Sequence, residues 1–468
     1  MAQSRRTHIQ YVLAGMATAL GFGTSAYAAE GPFDGTWTGR LTVGSASLRL
    51  RLVITGNAVK LISLDQGSAE IPADSVKIDG KAITVGFKAI GAGYQGELKD
   101  ADHITGTFTQ GAPMPLDFNR GEVIEESSAK VEPLTAEGLK AIRAGAGTPA
   151  IGAAWQGKSS GKLVDGLRMA GGTTAVTPDD QWHWGSITKS MTSTLVARLV
   201  ESGAVKWDTT VGALLGDKAG AYKDANFLHL LSHRAGLQPN IPDSRFNAYA
   251  RDGLADARVE RLAYAAEALA GAPVGPLAGQ TAYSNNGYIV AGAMIEVATG
   301  KSWETLIQDQ VFKPLGITSA GFGAPGTAGK VDQPLGHLAQ GANRMPAPVG
   351  PGLLNDNPVA LGPAGRVHMS MGDMLVYLAA HRDRTDLLKP DSWTKLHTPP
   401  FGGDYALGWV VRPDGAIWHN GSNTVWYGEI LVDAAAGVVC TACGNDAAPQ
   451  TMAAVGQALM AARAAALV

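Results

Sequence analysis

Gly185-Ser186-Ile187-Thr188-Lys189, running into the apolar stretch 191–200, is the part of the chain whose reading decides the fold. Residues i and i+3 of a helix share one face, so Lys189 comes back over Ser186. A serine hydroxyl is a poor nucleophile at neutral pH until a neighbour takes its proton, and a lysine one turn away is such a neighbour. The spacing of apolar residues over 191–200 predicts an amphipathic helix that opens at the serine. S-x-x-K also occurs elsewhere in the chain, in other contexts. Ser159/Lys162 lies in Gln156-Gly157-Lys158-Ser159-Ser160-Gly161-Lys162, a polar hairpin turn. Ser392/Lys395 follows Pro390-Asp391 and starts a short helix that runs into Pro399-Pro400.

Two later motifs complete the pattern. Tyr283-Ser284-Asn285 is the only Y-x-N in the chain and sits in a turn-rich stretch before an apolar helix at 289–297. His419-Asn420-Gly421-Ser422 lies between Ala416-Ile417-Trp418 and Val425-Trp426-Tyr427, both of strand character. His183-Trp184-Gly185 and Lys218-Ala219-Gly220 compete with it, but both precede the tyrosine motif and neither is followed by a strand pair. S-x-x-K, Y-x-N and H-x-G in this order resemble the serine β-lactamase and penicillin-binding protein family. The likeness is to its class C β-lactamase, D-alanyl-D-alanine carboxypeptidase and esterase branch, where Tyr replaces the first Ser of S-D-N. Asn226-Phe227-Leu228-His229-Leu230-Leu231-Ser232-His233-Arg234-Ala235-Gly236-Leu237 is similar to the family's helix-then-loop segment behind the site. Leu361-Gly362-Pro363-Ala364-Gly365-Arg366-Val367 and Tyr405-Ala406-Leu407-Gly408-Trp409 resemble later segments, the second being the strand before H-x-G. The resemblance spans 134–465 and implies an α+β fold, an antiparallel sheet built from both chain ends and flanked by helices.

The resemblance also implies a mechanism. Ser186 attacks a carbonyl and forms an acyl-enzyme, and Lys189 and Tyr283 share the task of accepting its proton. Tyrosine titrates near 10, so it needs a cation beside it to act as a base near pH 7. Lys189 is that cation, and its own pKa falls if it is buried. Which of the two holds the proton at rest stays open. The family pattern gives the oxyanion hole to the backbone N–H groups of Ser186 and Ser422. It gives Asn285 a hydrogen bond to a substrate ester or amide, and Gly421 close approach of substrate to the strand. His419 stands where β-lactamases carry Lys, and a histidine is mostly neutral at pH 7.5. Some carboxypeptidases, D-aminopeptidases and esterase-like members have histidine there. The expected substrate is a small ester, D-amino-acid peptide or amide, or β-lactam, with neither metal nor organic cofactor. The alternatives are a penicillin-binding or sensor-like protein that acylates with little turnover, and a non-catalytic envelope-binding protein. His183, His233 and His337 lack metal-ligand spacing and read as packing or capping residues. Trp418, Trp426 and Tyr427 flank the proposed substrate strand, as acyl-pocket lining or as core.

Composition sets the frame. With 468 residues the chain holds two or three domains, and a net charge of −3 leaves no electrostatic footprint for nucleic acid. Residues 1–28 read as a signal peptide, with Arg5 and Arg6, an apolar stretch at 11–22 and Ala26-Tyr27-Ala28 for cleavage. The apolar stretch is too short to span a bilayer and is broken by Gly15 and Gly21, so no stable membrane span is expected after processing. Ser4-Arg5-Arg6-Thr7-His8-Ile9 also resembles a twin-arginine signal. The expected location is periplasmic or secreted, in a bacterium. Residues 31–122 predict an antiparallel β domain of about eight short strands, a small barrel or sandwich, with Asp65, Asp74, Asp79, Asp100 and Asp102 serving turns. A polar linker at 123–133 follows, then the hydrolase domain at 134–465. The latter opens with a helix at 134–144 and strands at 150–155 and 163–170, and closes with strands over 409–442. The two cysteines, Cys440 and Cys443, fall in an apolar strand. Three residues apart on a strand, they face opposite sides at about 10 Å, which predicts free buried thiols.

Overall fold

The computed structural model describes residues 31–43, 46–63, 70–110, 112–121, 131–252, 256–350, 352 and 355–468. The predicted signal peptide, Asp65 and most of the predicted linker lie outside the described residues. The chain divides into two units, one ending at Lys130 and the other spanning Val131–Val468.

The first unit has ten antiparallel strands among its described residues, rather than about eight. The short strands Glu70–Pro72 and Phe118–Arg120, three residues each, carry too little alternation to stand out in the sequence. In sheet order Glu70–Pro72 stands at one end and Ser75–Asp79 at the other. Only Ala73 and Asp74 separate them in the chain, so the sheet has to curl until its two ends meet. The backbone shows that closure. Ala73 N donates to Val59 O at 2.9 Å, next to one end, and Asp74 N to Gly86 O at 2.9 Å, next to the other. Alternate residues of each strand, such as Leu50, Leu52 and Ile54, fill the enclosed core around Trp37 and Phe118.

The second unit is built on a six-stranded antiparallel sheet. Its order is Ser160–Gly166, Ala150–Gln156, Val438–Gly444, Tyr427–Asp433, Ile417–Ser422, Val410–Val411. The strand nearest the start of this unit thus pairs with the strand nearest its end. One face, with Ile151, Ala153, Leu431 and Cys440, packs on the helices Ala136–Ala146 and Pro449–Ala466. The other, with Ala150, Ala154, Ile430 and Cys443, packs on the large helical layer. Both faces are covered, so Tyr427–Asp433 is buried at every position, its charged Glu429 and Asp433 included.

Two sequence expectations shift. The second strand runs Ser160–Gly166, not 163–170, because Gly157-Lys158-Ser159 forms a tight turn that pairs Gln156 with Ser160. Residues 405–409 are not a continuous strand; Tyr405 makes one isolated antiparallel bridge to Val410, and the strand that follows is Val410–Val411. The helix that carries Lys189, Thr188–Glu201, is not amphipathic in its setting, since every residue from 188 to 197 is buried. Its hydroxyls are satisfied locally. Ser190 Oγ donates to Ile187 O at 2.8 Å, Thr192 Oγ1 to Pro363 O at 2.7 Å and Thr194 Oγ1 to Ser190 O at 3.1 Å.

Cys440 and Cys443 are free, buried and divided between the two core layers. Burial pushes both thiols above their ordinary range, away from the reactive thiolate. Ellman's reagent should therefore titrate two thiols per chain in guanidinium, and fewer than about 0.1 per chain within minutes in the folded protein.

Candidate active site

Ser186 lies in a 3₁₀ turn, Gly185–Ile187, that feeds directly into the buried helix Thr188–Glu201. Gly185 has φ +49°, and a side chain there would collide with the backbone of Ser422. One turn on, Lys189 Nζ lies 3.0 Å from Ser186 Oγ, 2.7 Å from Asn285 Oδ1 and 2.8 Å from Ala364 O. Lys189 is fully buried, and desolvation pulls its pKa well below the ordinary 10.5. A neutral amine has two N–H donors and one lone pair. Asn285 Oδ1 and Ala364 O take the two donors, which leaves the lone pair to the Ser186 hydroxyl.

Tyr283 is hydrogen-bonded to the Ser186 side chain, and Lys189 Nζ lies 4.8 Å from its ring centre. Burial pushes the phenol above its ordinary 10, against a smaller downward pull from Ser186. Desolvation thus favours the uncharged form of both candidate bases: a phenol with its proton, an amine without one. Ser284 caps the helix Asn285–Thr299, its Oγ accepting from Gly287 N at 3.2 Å. That cap places Tyr283 just ahead of the helix and Asn285 at its first position. Asn285 Nδ2 donates to Asn240 Oδ1 at 2.9 Å, which fixes the amide with its oxygen toward Lys189.

The strand Ile417–Ser422 lies against the serine turn. A Cβ on Gly421 would stand 2.7 Å from Ser186 N and clash with Trp184 O, so only glycine lets the two backbones meet. His419 is on this strand but is engaged elsewhere. Its Nδ1 donates to Asn420 O at 2.5 Å, so Nε2 accepts from the Tyr405 hydroxyl at 2.9 Å. Burial pushes His419 down to about 3. The position that carries a permanent cation in lysine-bearing relatives is uncharged here. Trp418 and Tyr427 belong to the core on the far side of the sheet, with both polar groups on Glu429. Trp426 stacks on His183 at 5.4 Å.

The structure therefore brings Ser186, Lys189, Tyr283 and Asn285 into contact and sets Gly421 and Ser422 beside them, with His419 turned to Tyr405. Sequence reasoning missed Tyr405, Asn240, the Ala364 carbonyl and a buried carboxylate, Asp356. Asp356 lies 3.0 Å from His183 Nε2 in a bent approach and 3.1 Å from Arg366, and it accepts from Asn423 Nδ2 at 2.9 Å. Burial raises its pKa, but His183, the Arg366 charge and the Asn423 amide outweigh that and hold the carboxyl below the usual carboxylate range. His183 Nδ1 in turn accepts from Gly185 N at 3.1 Å, and Asn423 Oδ1 from Val425 N and Trp426 N. One carboxylate thus braces the serine turn and the loop after Ser422 together. Nothing in the sequence marked it, because its partners are 67 and 10 residues away. A groove of about 890 Å³ lined by Trp155, Lys162, Leu315, Leu375 and Leu387 contains none of these residues.

With this geometry in place, the comparisons with known proteins agree. The family model described as Beta-lactamase matches residues 129–465. The chain belongs to this family, a serine hydrolase family that includes penicillin-binding homologues and D-amino-acid amidases. Over 238 residues it is 31% identical to Penicillin-binding protein 4 of Amycolatopsis lactamdurans, covering 49% of this chain and 58% of that protein. The chain thus spans little more than half the length of that relative. The octameric penicillin-binding protein homologue from Pyrococcus abyssi superposes with a TM-score of 0.57 at 21% identity, over 70% of this chain and 77% of that one. The D-amino acid amidase from Ochrobactrum anthropi SV3, complexed with L-phenylalanine amide, gives 0.57 at 18% identity, over 70% and 97%. At these identities the two structures share the fold with this chain.

Removing the Asp356 carboxylate leaves Arg366 without its buried partner. Asp356→Ala should lower unfolding stability by about 3 kcal/mol in urea melts, within the range for breaking a buried pair.

Proposed function

We propose that this protein is an exported serine hydrolase that cleaves small esters or amides lacking a carboxylate beside the scissile bond, through a Ser186 acyl-enzyme. The contact of a buried Lys189 with Ser186 Oγ at 3.0 Å carries this reading. Ser186 Oγ attacks the carbonyl carbon and its proton passes to Lys189 Nζ. The Ser186 and Ser422 N–H groups hold the oxyanion. Tyr283, still protonated, gives its proton to the leaving alcohol or amine and recovers one from Lys189. Water then attacks the ester, its proton travels the reverse path, and the acid and free serine are released. Asn285 and Ala364 O hold Lys189 in place throughout.

The uncharged His419 supports the substrate class. A neutral imidazole tied to Tyr405 offers no fixed cation to a carboxylate, unlike lysine. A charge-assisted hydrogen bond is worth about 1.5–3 kcal/mol, so substrates that need one lose about 10- to 100-fold. p-Nitrophenyl acetate and D-phenylalanine amide should then surpass a carboxylate-bearing cephalosporin in kcat/KM by at least that factor. Equal or better cephalosporin cleavage would sink the substrate assignment and favour a β-lactamase.

Ser186→Ala should lower turnover by about 10⁴-fold or more, as for loss of an acyl-transfer nucleophile. Lys189→Met should lower it by about 10²–10⁴-fold, as for loss of a general base. Because Lys189 works unprotonated, the acylation rate should fall as pH drops through its lowered pKa and level off above it, well short of 10.5. A wild-type profile in Lys189→Met would contradict the assignment. Intact-mass spectrometry of the reacting protein reads the adduct on Ser186 and, on exported material, the loss of residues 1–28. A persistent adduct would point instead to a penicillin-binding protein with little turnover.

A further inference from the structure

Tyr283 sits in neither helix nor strand, yet its hydroxyl has to meet Ser186 to a fraction of an ångström. Its two chain neighbours are both bonded to one residue. Ala282 N donates to His233 O at 2.9 Å, and Ser284 N donates to His233 Nδ1 at 3.1 Å. Between those two bonds the imidazole ring lies against the Tyr283 ring, with centres 4.3 Å apart. Tyr405 and Tyr288 enclose the same imidazole at 4.5 and 5.5 Å. His233 is 2% exposed and has φ +59°, a left-handed conformation that residues with a Cβ avoid unless the surroundings impose it.

The hydrogen bonds also fix its tautomer. Nδ1 accepts from a backbone N–H, so the ring proton is on Nε2, which has no partner among the described residues. Burial keeps this imidazole uncharged, and an imidazolium would turn a second donor toward Ser284 N–H. The clamp continues along the loop: Ser284 Oγ donates to Gln238 O at 2.6 Å and Asn285 N to Pro239 O at 2.9 Å.

We infer that His233 is the positioning residue for Tyr283, bracketing it by main chain on both sides and setting the plane of the phenol from behind. This rests on the proposed role of Tyr283 at Ser186. Two variants separate positioning from packing. Asn tolerates the left-handed backbone and carries an acceptor in place of Nδ1, whereas Ala offers neither.

The test is burst-phase acylation by p-nitrophenyl acetate in the full chain, followed across pH, with Ser186→Ala as control. His233→Ala should acylate about 10²-fold more slowly, the scale of a 1 Å misplacement, with KM within about threefold. Its pH–rate profile should move, because the phenol no longer meets Ser186. His233→Asn should regain at least about tenfold of the loss, since the Ser284 bond returns. A His233→Ala burst within about twofold of wild type overturns the inference, as do Ala and Asn variants equally slow with an unmoved pH profile. If the Ala chain does not fold, His233→Leu, which fills the space without an acceptor, takes its place under the same criteria. A burst that survives in Ser186→Ala overturns the Ser186 reading and this inference with it; a burst lost there but kept in His233→Ala overturns this inference alone.

Discussion

A lysine amine taken out of water is the constraint around which the catalytic unit is arranged. Moving an ammonium into a protein interior costs several kcal/mol, so the group sheds its proton or finds partners that replace the lost hydration. Lys189 has three oxygen partners, drawn from the serine turn, the helix that begins at Asn285 and the Ala364 carbonyl. Each comes from a different part of the chain, so the helical layer has to be packed correctly before the amine is satisfied. The buried Ser and Thr hydroxyls of the surrounding helix find carbonyls for the same reason, and Arg261 meets Glu296 and Glu304 nearby in the helical layer.

Much of this was legible in the sequence. S-x-x-K, Y-x-N and H-x-G each fell on the turn, helix start or strand expected of them, since helical periodicity and strand character are local signals. The parity of Cys440 and Cys443 was legible too, because a strand allows only two sides. What escaped was non-local. Asp356 has no motif and acquires meaning only from His183, Arg366 and Asn423, which the fold brings to it. The burial of residues 188–197 was hidden by their polar composition, because a Thr bonded within its own helix reads in sequence like a solvent-facing one. In the first unit Ala58–Ser63 was overlooked although Gly56-Asn57 offers a two-residue turn between paired Thr55 and Ala58.

His419 shows how one strand position changes meaning through a residue elsewhere. On sequence it is a weakened lysine. In the structure its Nε2 is occupied by a tyrosine that lies 14 residues earlier, and Asn420 O takes the other nitrogen. Its character at the site is accordingly steric and dipolar, and it carries no ionic recognition at neutral pH. The same tyrosine also touches His233, so His233, Tyr405 and His419 form one continuous aromatic and imidazole surface.

The pairing of Ala150–Gln156 with Val438–Gly444 has a bearing on how the molecule is made. Ser159 bonds to a carbonyl 306 residues later, Lys158 N to Ala466 O, and Leu134 N to Ala461 O. Contacts of such long sequence separation form slowly and cannot form while the ribosome still holds the final helix. The central sheet stays open along one side until the last turn of Pro449–Ala466 has emerged. A chain halted before residue 417 carries Ser186 and Lys189, but lacks the strand that sets Gly421 and Ser422 beside them. The site proposed around Ser186 is thus assembled late, once strands far downstream of the serine have been made and paired with the early strand Ala150–Gln156.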